Sequence, residues 1–231
     1  QEGGTNSYEH LTTSNTVKDV IEHKAFAGFG RFILPAERSY NDNMTLQNVE
    51  SMLPYHNYIT GERAVETINT MIDYVHDGNK LFYDIYSDED KQADSRKNNT
   101  GLFFFRGEPG KPFAIVCPGG GFSYVGAIHE GFPLAIALSK MGYNAFSIQY
   151  RTGGAQVACE DLAGAIDFIM RHAEELQVST DDYSLWGGSA GARMAAYLGS
   201  YGTQGFISAV HPRPATVVMG CLLYTSPSPR D

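Results

Sequence analysis

A serine at position 189 has the neighbours that a nucleophilic serine needs. It stands in the segment WGGSAG at residues 186–191, so a G-x-S-x-G pattern surrounds it. At a sharp turn from strand to helix, glycines at these spacings let the two elements pass closely and leave the serine hydroxyl accessible. The pattern predicts such a nucleophile elbow, with Ser189 able to attack a carbonyl carbon. The alternative is a glycine-rich turn in which the serine only caps a helix.

Three glycines at 119–121 offer the second part of the same chemistry. They follow the apolar stretch FAIVCP at residues 113–118, which is typical of a buried strand. Backbone N–H groups that point at a developing oxyanion stabilise it by about 3–4 kcal/mol per donor, and glycines allow this close approach. We expect the donors to be the N–H of Ala190 and an N–H of Gly120 or Gly121. A dinucleotide-binding G-x-G-x-x-G loop is the alternative, but Tyr124 stands where that motif needs a small residue.

Aromatic and polar side chains that follow the glycines could complete a pocket. Phe122 and Tyr124 could line a substrate pocket or belong to the core, since aromatic residues near the end of a sheet do either. His129 and Glu130 could form a catalytic pair, but a role in positioning or packing the loop fits their place in the chain better. The pocket assignment therefore rests on Phe122 and Tyr124.

Alternating strands and helices position these motifs. Apolar runs and helical periodicity predict strands at 81–86, 102–106, 113–117, 144–150, 183–186 and 215–219, helices at 133–141, 160–175 and 192–198, a charged loop at 87–100 and a polar turn at 179–182. This alternation is typical of an α/β fold with a mostly parallel sheet covered on both faces. We divide the chain into an N-terminal extension at 1–78, with a disordered start and a helix at 61–77, an α/β domain at 79–220 and a tail at 221–231.

The two glycine motifs and their spacing resemble those of the α/β-hydrolase superfamily, in particular its bacterial esterase/lipase-like branch with a Gly-Gly-Gly oxyanion loop. The resemblance runs from about residue 80 to residue 220. It implies a three-layer αβα hydrolase fold, no cofactor and no metal, and a catalytic triad in the chain order serine, acid, histidine. The segment HEGFP at 129–133 is most similar to esterases of that branch that act on acyl groups attached to carbohydrates.

The triad acid and histidine that the resemblance implies are missing from this sequence. After Ser189 the only histidine is His211, which precedes the apolar stretch 215–219 instead of following a last strand, and the only acid is Asp231. Residues 221–231 resemble the translation of a transposase-type sequencing adapter. This predicts a non-native tail after a hydrolase domain that is incomplete at its C-terminus; a genuine Ser/Pro-rich extension is the alternative.

The composition is that of a soluble globular protein. The chain has 231 residues with a net charge of −9, and its 17 basic residues are spread along it, which argues against a nucleic-acid partner. No apolar run approaches the roughly 20 residues of a membrane span. Cys117 and Cys159 are expected to be buried thiols, and Asp161 and Asp167 to be solvated or capping side chains of a helix. The compartment stays open between cytoplasm and export.

These features predict a bacterial serine esterase with a small-molecule ester as its substrate. Ser189 would form an acyl-enzyme that water then hydrolyses. Because the acid and the base are absent, we expect the chain alone to be inactive. Two alternatives stay open, a ligand-binding module of the same fold without catalysis and a serine peptidase. The oligomeric state, the acyl group and the alcohol are not predicted.

Overall fold

The computed structural model of the chain describes residues 8–35, 41–53 and 59–220. Residues 1–7, which include the predicted disordered start, and the predicted non-native tail at 221–231 lie outside the described residues. Both interpretations therefore stay predictions. Within the described ranges, no helix combines the length and the apolar character that crossing a membrane requires.

A six-stranded sheet forms the centre of the described chain. Its strands are β1 (Phe82–Tyr83), β2 (Gly101–Phe105), β3 (Pro112–Cys117), β4 (Asn144–Gln149), β5 (Ser179–Gly187) and β6 (Thr216–Met219). Their order across the sheet is β1-β2-β4-β3-β5-β6. Strands β3, β4, β5 and β6 pair with one another in parallel, whereas β2 is antiparallel to both β1 and β4. This confirms the predicted mostly parallel sheet.

Helices connect the strands. The α-helices are α1 (Val17–Ile21), α2 (Gly61–His76), α3 (Asp88–Ala93), α4 (Phe132–Lys140), α5 (Ala155–Arg171), α6 (Ala173–Leu176) and α7 (Ala190–Tyr201). Short 3-10 helices lie at Lys24–Phe26, Gly30–Phe32, Leu46–Met52, Ser95–Asn99 and Thr203–Gly205, and a π-helical turn lies at Ala127–Gly131. The segment 118–126, which contains the three glycines and is called the glycine loop here, joins β3 to the π-helical turn. The π-helical turn leads directly into α4, so the glycine loop is followed by an irregular helix start.

Neighbouring side chains of β2 show that helices cover both faces of the sheet. Phe103 meets the ring of Phe132 in α4, with a centroid distance of 4.7 Å. The next residue, Phe104, points to the other face and meets Tyr83, whose ring in turn contacts Phe168 of α5. Helix α7 packs against α5 and against β5. The fold is therefore the predicted three-layer αβα sandwich.

The N-terminal part of the chain packs on the same core. Helix α2 begins after Thr60, whose hydroxyl accepts a hydrogen bond from Arg63 N at 3.2 Å, and its buried face carries the apolar residues that the periodicity predicts. The ring of Phe29 stacks on Phe82 of β1. Buried side chains of the N-terminal part and of the sheet belong to one continuous cluster. The domain boundary near residues 78–79 stays a prediction, while the helix predicted over 61–77 is α2.

Three local expectations were wrong. The stretch 87–100, expected to be a charged loop, contains α3 and a 3-10 turn, because the Ser87 hydroxyl and the Asp90 carboxylate form a capping box. The polar residues 179–182 lie inside β5, where a register shift and a left-handed Asp182 accommodate them. Helix α5 begins at Ala155, five residues before the predicted start.

Candidate active site

Ser189 lies at the turn between β5 and α7. Its backbone has φ 54° and ψ −121°, a conformation that residues other than glycine rarely adopt, and the residue is exposed. The neighbouring residues have to be glycines, because the backbone segments around them are too close for a side chain. A Cβ on Gly187 would lie 2.6 Å from the backbone nitrogen of Ala192, and a Cβ on Gly191 would collide with the carbonyl oxygen of Cys117. The local geometry is thus that of a strained strand-to-helix elbow that leaves its serine accessible.

The loop after β3 turns two of its carbonyl groups inward. The carbonyl of Gly119 accepts a hydrogen bond from Gly126 N at 2.8 Å, and the carbonyl of Gly120 accepts one from Ser123 N at 3.0 Å. In a trans peptide the N–H points away from the carbonyl of the same unit, so the N–H groups of Gly120 and Gly121 point away from these bonds. Within the described residues, neither N–H has a backbone acceptor. Two backbone donors are therefore available just beyond β3.

The glycine loop and the elbow are in contact. A Cβ built on Gly119 would lie 2.7 Å from the carbonyl oxygen of Gly188 and 3.1 Å from the Cβ of Ser189. Ala190 is the first residue of α7, and its N–H also lacks a backbone acceptor in the described part of the chain. The N–H groups expected to face an oxyanion therefore belong to two backbone segments that touch each other.

The topology of the sheet creates a crevice at this place. From β3 the chain crosses to β4 on one side and then to β5 on the other side, so the strand order reverses next to β3. In open α/β sheets, ligands bind in the crevice outside the carboxyl ends of the strands at such a point. We call the edge where β3, β4 and β5 end the carboxyl edge, and the opposite one the amino edge.

A cavity of about 270 Å³ lies at the carboxyl edge. Its lining residues are Arg31, Phe32, Leu34, Pro35, Asn99, Val125 and Gln149. Gln149 ends β4 and is only 5% exposed, yet its amide makes no hydrogen bond with the described residues. Asn99 Oδ1 accepts a hydrogen bond from Arg31 Nη1 at 2.9 Å. Since Val125 belongs to the glycine loop, that loop also forms part of the cavity wall.

His129 and Glu130, for which the sequence favoured a role in positioning or packing the loop over a catalytic pair, face different parts of the molecule. Glu130 is 7% exposed, and its Oε2 accepts a hydrogen bond from Gly119 N at 2.5 Å, so it contacts the glycine loop. His129 lines a different groove, between α2 and α4. Both belong to the π-helical turn, an irregularity that often marks functional sites.

The two aromatic pocket candidates also differ. Phe122 has a left-handed backbone with φ 58°, and the guanidinium of Arg193 lies over its ring, 5.3 Å from the centroid. Phe122 is 9% exposed, whereas Tyr124 is fully buried. Of the two side chains, only Phe122 reaches the surface of the loop, and the pocket role of both stays a prediction.

His211 lies at the amino edge, away from Ser189. It precedes β6, which runs parallel to β5, so it lies near the start of these strands, whereas Ser189 follows the end of β5. Its Nε2 is 2.7 Å from Oδ1 of Asp167, near the end of α5, and Asp167 also accepts a hydrogen bond from Arg171. This histidine and carboxylate form a pair, but not with the serine. The expectation that Asp167 is merely solvated or capping is wrong.

A second ion pair beside the site is buried. Asp161, expected to be solvated or capping, is fully buried and accepts hydrogen bonds from the Arg151 backbone and guanidinium and from the Tyr86 hydroxyl. Burial and then the charge of Asp161 raise the pKa of Tyr86 well above its ordinary value. Arg151 also bonds Asp94 at 2.9 Å. The group fastens the segment after β4 to α5 and to the residues after α3, and it was invisible in the sequence because its members are far apart.

The two thiols are buried, as predicted. Cys117 and Cys159 are free, and burial raises the pKa of both, to about 11 for Cys159 and further for Cys117. A nucleophilic cysteine needs the thiolate form, so neither thiol competes with Ser189 for this role.

Comparisons with known proteins agree with the fold. The model of the BD-FAE family, an α/β-hydrolase-like family, matches residues 106–212. No curated protein matches the chain. One similar solved structure is MGS-M1, an α/β hydrolase enzyme from a Medee basin deep-sea metagenome library, with 24% identity, 52% of this chain and 51% of that chain covered, and a TM-score of 0.46.

Two further solved structures are similar over the same share of this chain, 52%. An acetyl ester-xyloside bifunctional hydrolase from Caldicellulosiruptor lactoaceticus has 23% identity, 47% of its length covered and a TM-score of 0.46. A sugar hydrolase, YeeB, from Lactococcus lactis has 26% identity, 48% covered and a TM-score of 0.44. The chain spans about half the length of each of these three proteins. By its family match, its strand order and its αβα layers, the chain belongs to the α/β-hydrolase superfamily.

Proposed function

We propose that the protein is a carboxylic ester hydrolase in which Ser189 is the nucleophile. The observation that carries the proposal is the exposed, strained serine in contact with the glycine loop. A serine in this conformation costs stability, and such strain is retained at sites that use it. Burial and a raised pKa argue against the nearby thiol of Cys117 as an alternative nucleophile.

The reaction would pass through an acyl-enzyme. The Ser189 hydroxyl attacks the ester carbonyl, and the N–H groups of Ala190 and of Gly120 or Gly121 donate to the oxyanion that forms. Collapse of this intermediate expels the alcohol and leaves the acyl group on Ser189, and attack by water then releases the acid. A base must take the proton of the serine, and the family resemblance implies a histidine and an acid for this task.

We further propose that the 231-residue chain alone has negligible turnover. Within the described residues, no histidine forms a hydrogen bond with Ser189, and His211 is paired with Asp167 at the amino edge. Without a general base, both acylation and deacylation are slow, although an oxyanion hole alone retains a small part of the rate enhancement.

Acyl groups on carbohydrates are the substrate class that we favour. The cavity at the carboxyl edge combines the apolar side chains of Phe32 and Leu34 with the amides of Asn99 and Gln149. Amides both donate and accept hydrogen bonds, as hydroxyl groups do, while apolar side chains suit the C–H face of a sugar ring. The cavity borders the glycine loop, so an alcohol held there would lie beside the reacting ester.

Mass spectrometry of the chain treated with p-nitrophenyl acetate tests the nucleophile. Imidazole in solution replaces the base, and slow deacylation lets the acyl-enzyme accumulate. We expect one acetyl group on Ser189 in the parent and in the control variant S200A, whose serine is exposed near the end of α7, and none at this position in S189A. A folded parent that stays unacetylated at Ser189 refutes the nucleophile. Rapid steady hydrolysis without imidazole, lost in S189A, refutes the inactivity of the chain alone.

A ligand-binding module is the second candidate, because the described residues bring no histidine to Ser189. In that case, sugars would bind at the carboxyl edge, but imidazole would not cause acetylation of Ser189. The same experiment, combined with a sugar-binding measurement, therefore separates the two functions. No observation favours a serine peptidase.

A further inference from the structure

Glu130 lies between the two segments that would form the oxyanion hole. Its Oε2 accepts a hydrogen bond from Gly119 N at 2.5 Å. A Cβ on Gly119 would lie 2.7 Å from the same oxygen and 3.1 Å from the Cβ of Ser189, and a Cβ on Gly188 would lie 3.3 Å from Glu130 Oε1. One oxygen of the carboxylate therefore faces the glycine loop, and the other faces the elbow.

Three hydrogen bonds join Glu130 and the loop into a closed ring. Gly119 N donates to Glu130 Oε2, Glu130 N donates to Gly126 O at 2.8 Å, and Gly126 N donates to Gly119 O at 2.8 Å. The ring fixes the peptide units before and after Gly119, because the N–H and the C=O of this residue are both hydrogen-bonded. The carbonyl of Gly119 in turn sets the direction of the Gly120 N–H, because the two belong to one planar peptide unit.

Burial makes this arrangement costly unless the carboxylate is used. Glu130 is 7% exposed, and a buried carboxylate has to be compensated by hydrogen bonds to its charged form. A neutral side chain would fill the same space at a lower desolvation cost. The π-helical turn at Ala127–Gly131 brings the carboxylate inward at the point where the loop meets the elbow.

We propose that Glu130 is a positioning residue of the oxyanion hole. Its carboxylate holds the glycine loop against the elbow, so that the N–H groups of Gly120 and Gly121 stay on the side of Ser189. This role rests on the proposed function, since it presumes that an oxyanion forms beside Ser189. Glu130 itself does not touch the substrate or the reacting atoms.

The backbone amide signals of the 231-residue chain give the first test. In the parent, we expect the Gly119 amide proton far downfield and protected from exchange, as a short bond to a carboxylate requires, while the Gly120 and Gly121 amides exchange quickly. In E130Q, the Gly119 signal moves upfield and the Gly120 and Gly121 signals shift with it. In E160Q, a matched change near the start of α5, all three signals stay. An exposed, quickly exchanging Gly119 amide in the parent overturns the proposal even if E130Q does not fold.

The rate at which a fluorophosphonate labels Ser189 in the presence of imidazole gives the second test. Imidazole again replaces the base that the chain lacks, and the phosphonate adduct places an oxygen where the oxyanion would form. We expect labelling of E130Q to be at least about tenfold slower than that of the parent or of E160Q, since a misplacement of about 1 Å can lower a rate by about a hundredfold. E130D keeps the charge but is one methylene shorter, and it should also label slowly. Full labelling rate in E130D would mean that charge alone, not reach to Gly119, matters, which overturns the proposal.

The two tests separate the failures. A folded parent that the fluorophosphonate does not label at Ser189 even with imidazole present refutes the proposed function, while the amide signals still decide whether Glu130 sets the loop. Labelling of Ser189 that E130Q leaves unchanged, in a variant with an unaltered melting temperature, refutes only the role of Glu130.

Discussion

The carboxyl edge and the amino edge of the sheet both carry polar groups, but they differ in whether these groups have hydrogen-bond partners within the described chain. At the carboxyl edge, Ser189 has a strained backbone, and within the described residues the N–H groups of Gly120, Gly121 and Ala190 lack backbone acceptors. The side chain of Gln149 is 5% exposed there, and its amide makes no hydrogen bond with the described chain. This edge thus combines conformational strain with unused hydrogen-bonding groups.

The amino edge satisfies its polar groups internally. His211 is bonded to Asp167, and the hydroxyl of Tyr183 donates to Pro212 O at 2.6 Å. The hydroxyl of Thr203 donates to a neighbouring carbonyl and accepts the N–H of His211. Since buried polar groups are nearly always paired in folded proteins, the edge that leaves them unpaired is the one where a ligand can pair with them. A histidine and a carboxylate side by side therefore do not mark a site when each already has its hydrogen-bond partner.

The largest effect that we expect concerns the close packing of the carboxyl edge. G191A places a Cβ against the carbonyl oxygen of Cys117, a backbone atom that cannot move aside, so the free energy of unfolding falls by about 3 kcal/mol. G164A is the matched control in another helix, α5, where the new Cβ would lie 3.5 Å from Tyr86 Oη, an ordinary contact. There the free energy of unfolding rises by up to about 1 kcal/mol, since alanine favours helix.

Denaturant unfolding followed by the fluorescence of Trp186, the single tryptophan, measures both variants. Equal stability of G191A and the parent would mean that β3 and the elbow do not approach as closely as described. It would also mean that close packing does not require a glycine at position 191 of the elbow.

The sequence predicts the residues of the elbow at the carboxyl edge better than the side chains that hold the surrounding segments in place. The spacing of Gly187, Ser189 and Gly191 is local, and a glycine requirement at each position can be read from a few neighbouring residues. The role of Asp161 depends on Arg151, a partner that only the folded chain brings close, so the sequence could not assign it. For Glu130 the sequence favoured a role in positioning or packing the loop, but it could not name Gly119 as the partner. The capping box of α3 was different, because Ser87 and Asp90 are a readable signal that the many charges around it obscured.

The amino edge gives the second prediction, a dependence of stability on pH. Burial alone would raise the pKa of Asp167, but the hydrogen bonds from His211 and Arg171 outweigh it and lower the pKa below the ordinary 3.8. A carboxyl with a lowered pKa stabilises the fold above the pKa of the unfolded chain, and this stability is lost as the pH falls through the pKa of the folded state. At pH 7, D167N should therefore reduce the free energy of unfolding by about 1–2 kcal/mol.

Unfolding curves at pH 7 and at pH 3 check this prediction. The difference between D167N and the parent should shrink toward pH 3, where the parent also begins to lose the charge. D181N is the control, because Asp181 is exposed and its change should have the same small effect at both pH values. A gap between D167N and the parent that grows toward acid would contradict the pairing. Neither D167N nor D181N should change acetylation of Ser189, which lies at the other edge.

The smallest effect that we expect has the opposite sign and concerns Gln149 at the carboxyl edge. The side chain of Gln149 is 5% exposed, and its amide has no hydrogen-bond partner within the described residues. An apolar side chain of similar size suits such a place better, so Q149L should raise the free energy of unfolding by about 1 kcal/mol. Q156L, at an exposed position, should change it by less than about 0.5 kcal/mol. If the sugar subsite proposed above includes Gln149, a saturating monosaccharide should raise the melting temperature of the parent and of Q156L but not that of Q149L. A more stable Q149L that still responds to the sugar would leave Gln149 outside the sugar subsite. A less stable Q149L would mean that the amide is paired in solution, and the contrast between the two edges would then reduce to the backbone strain at Ser189.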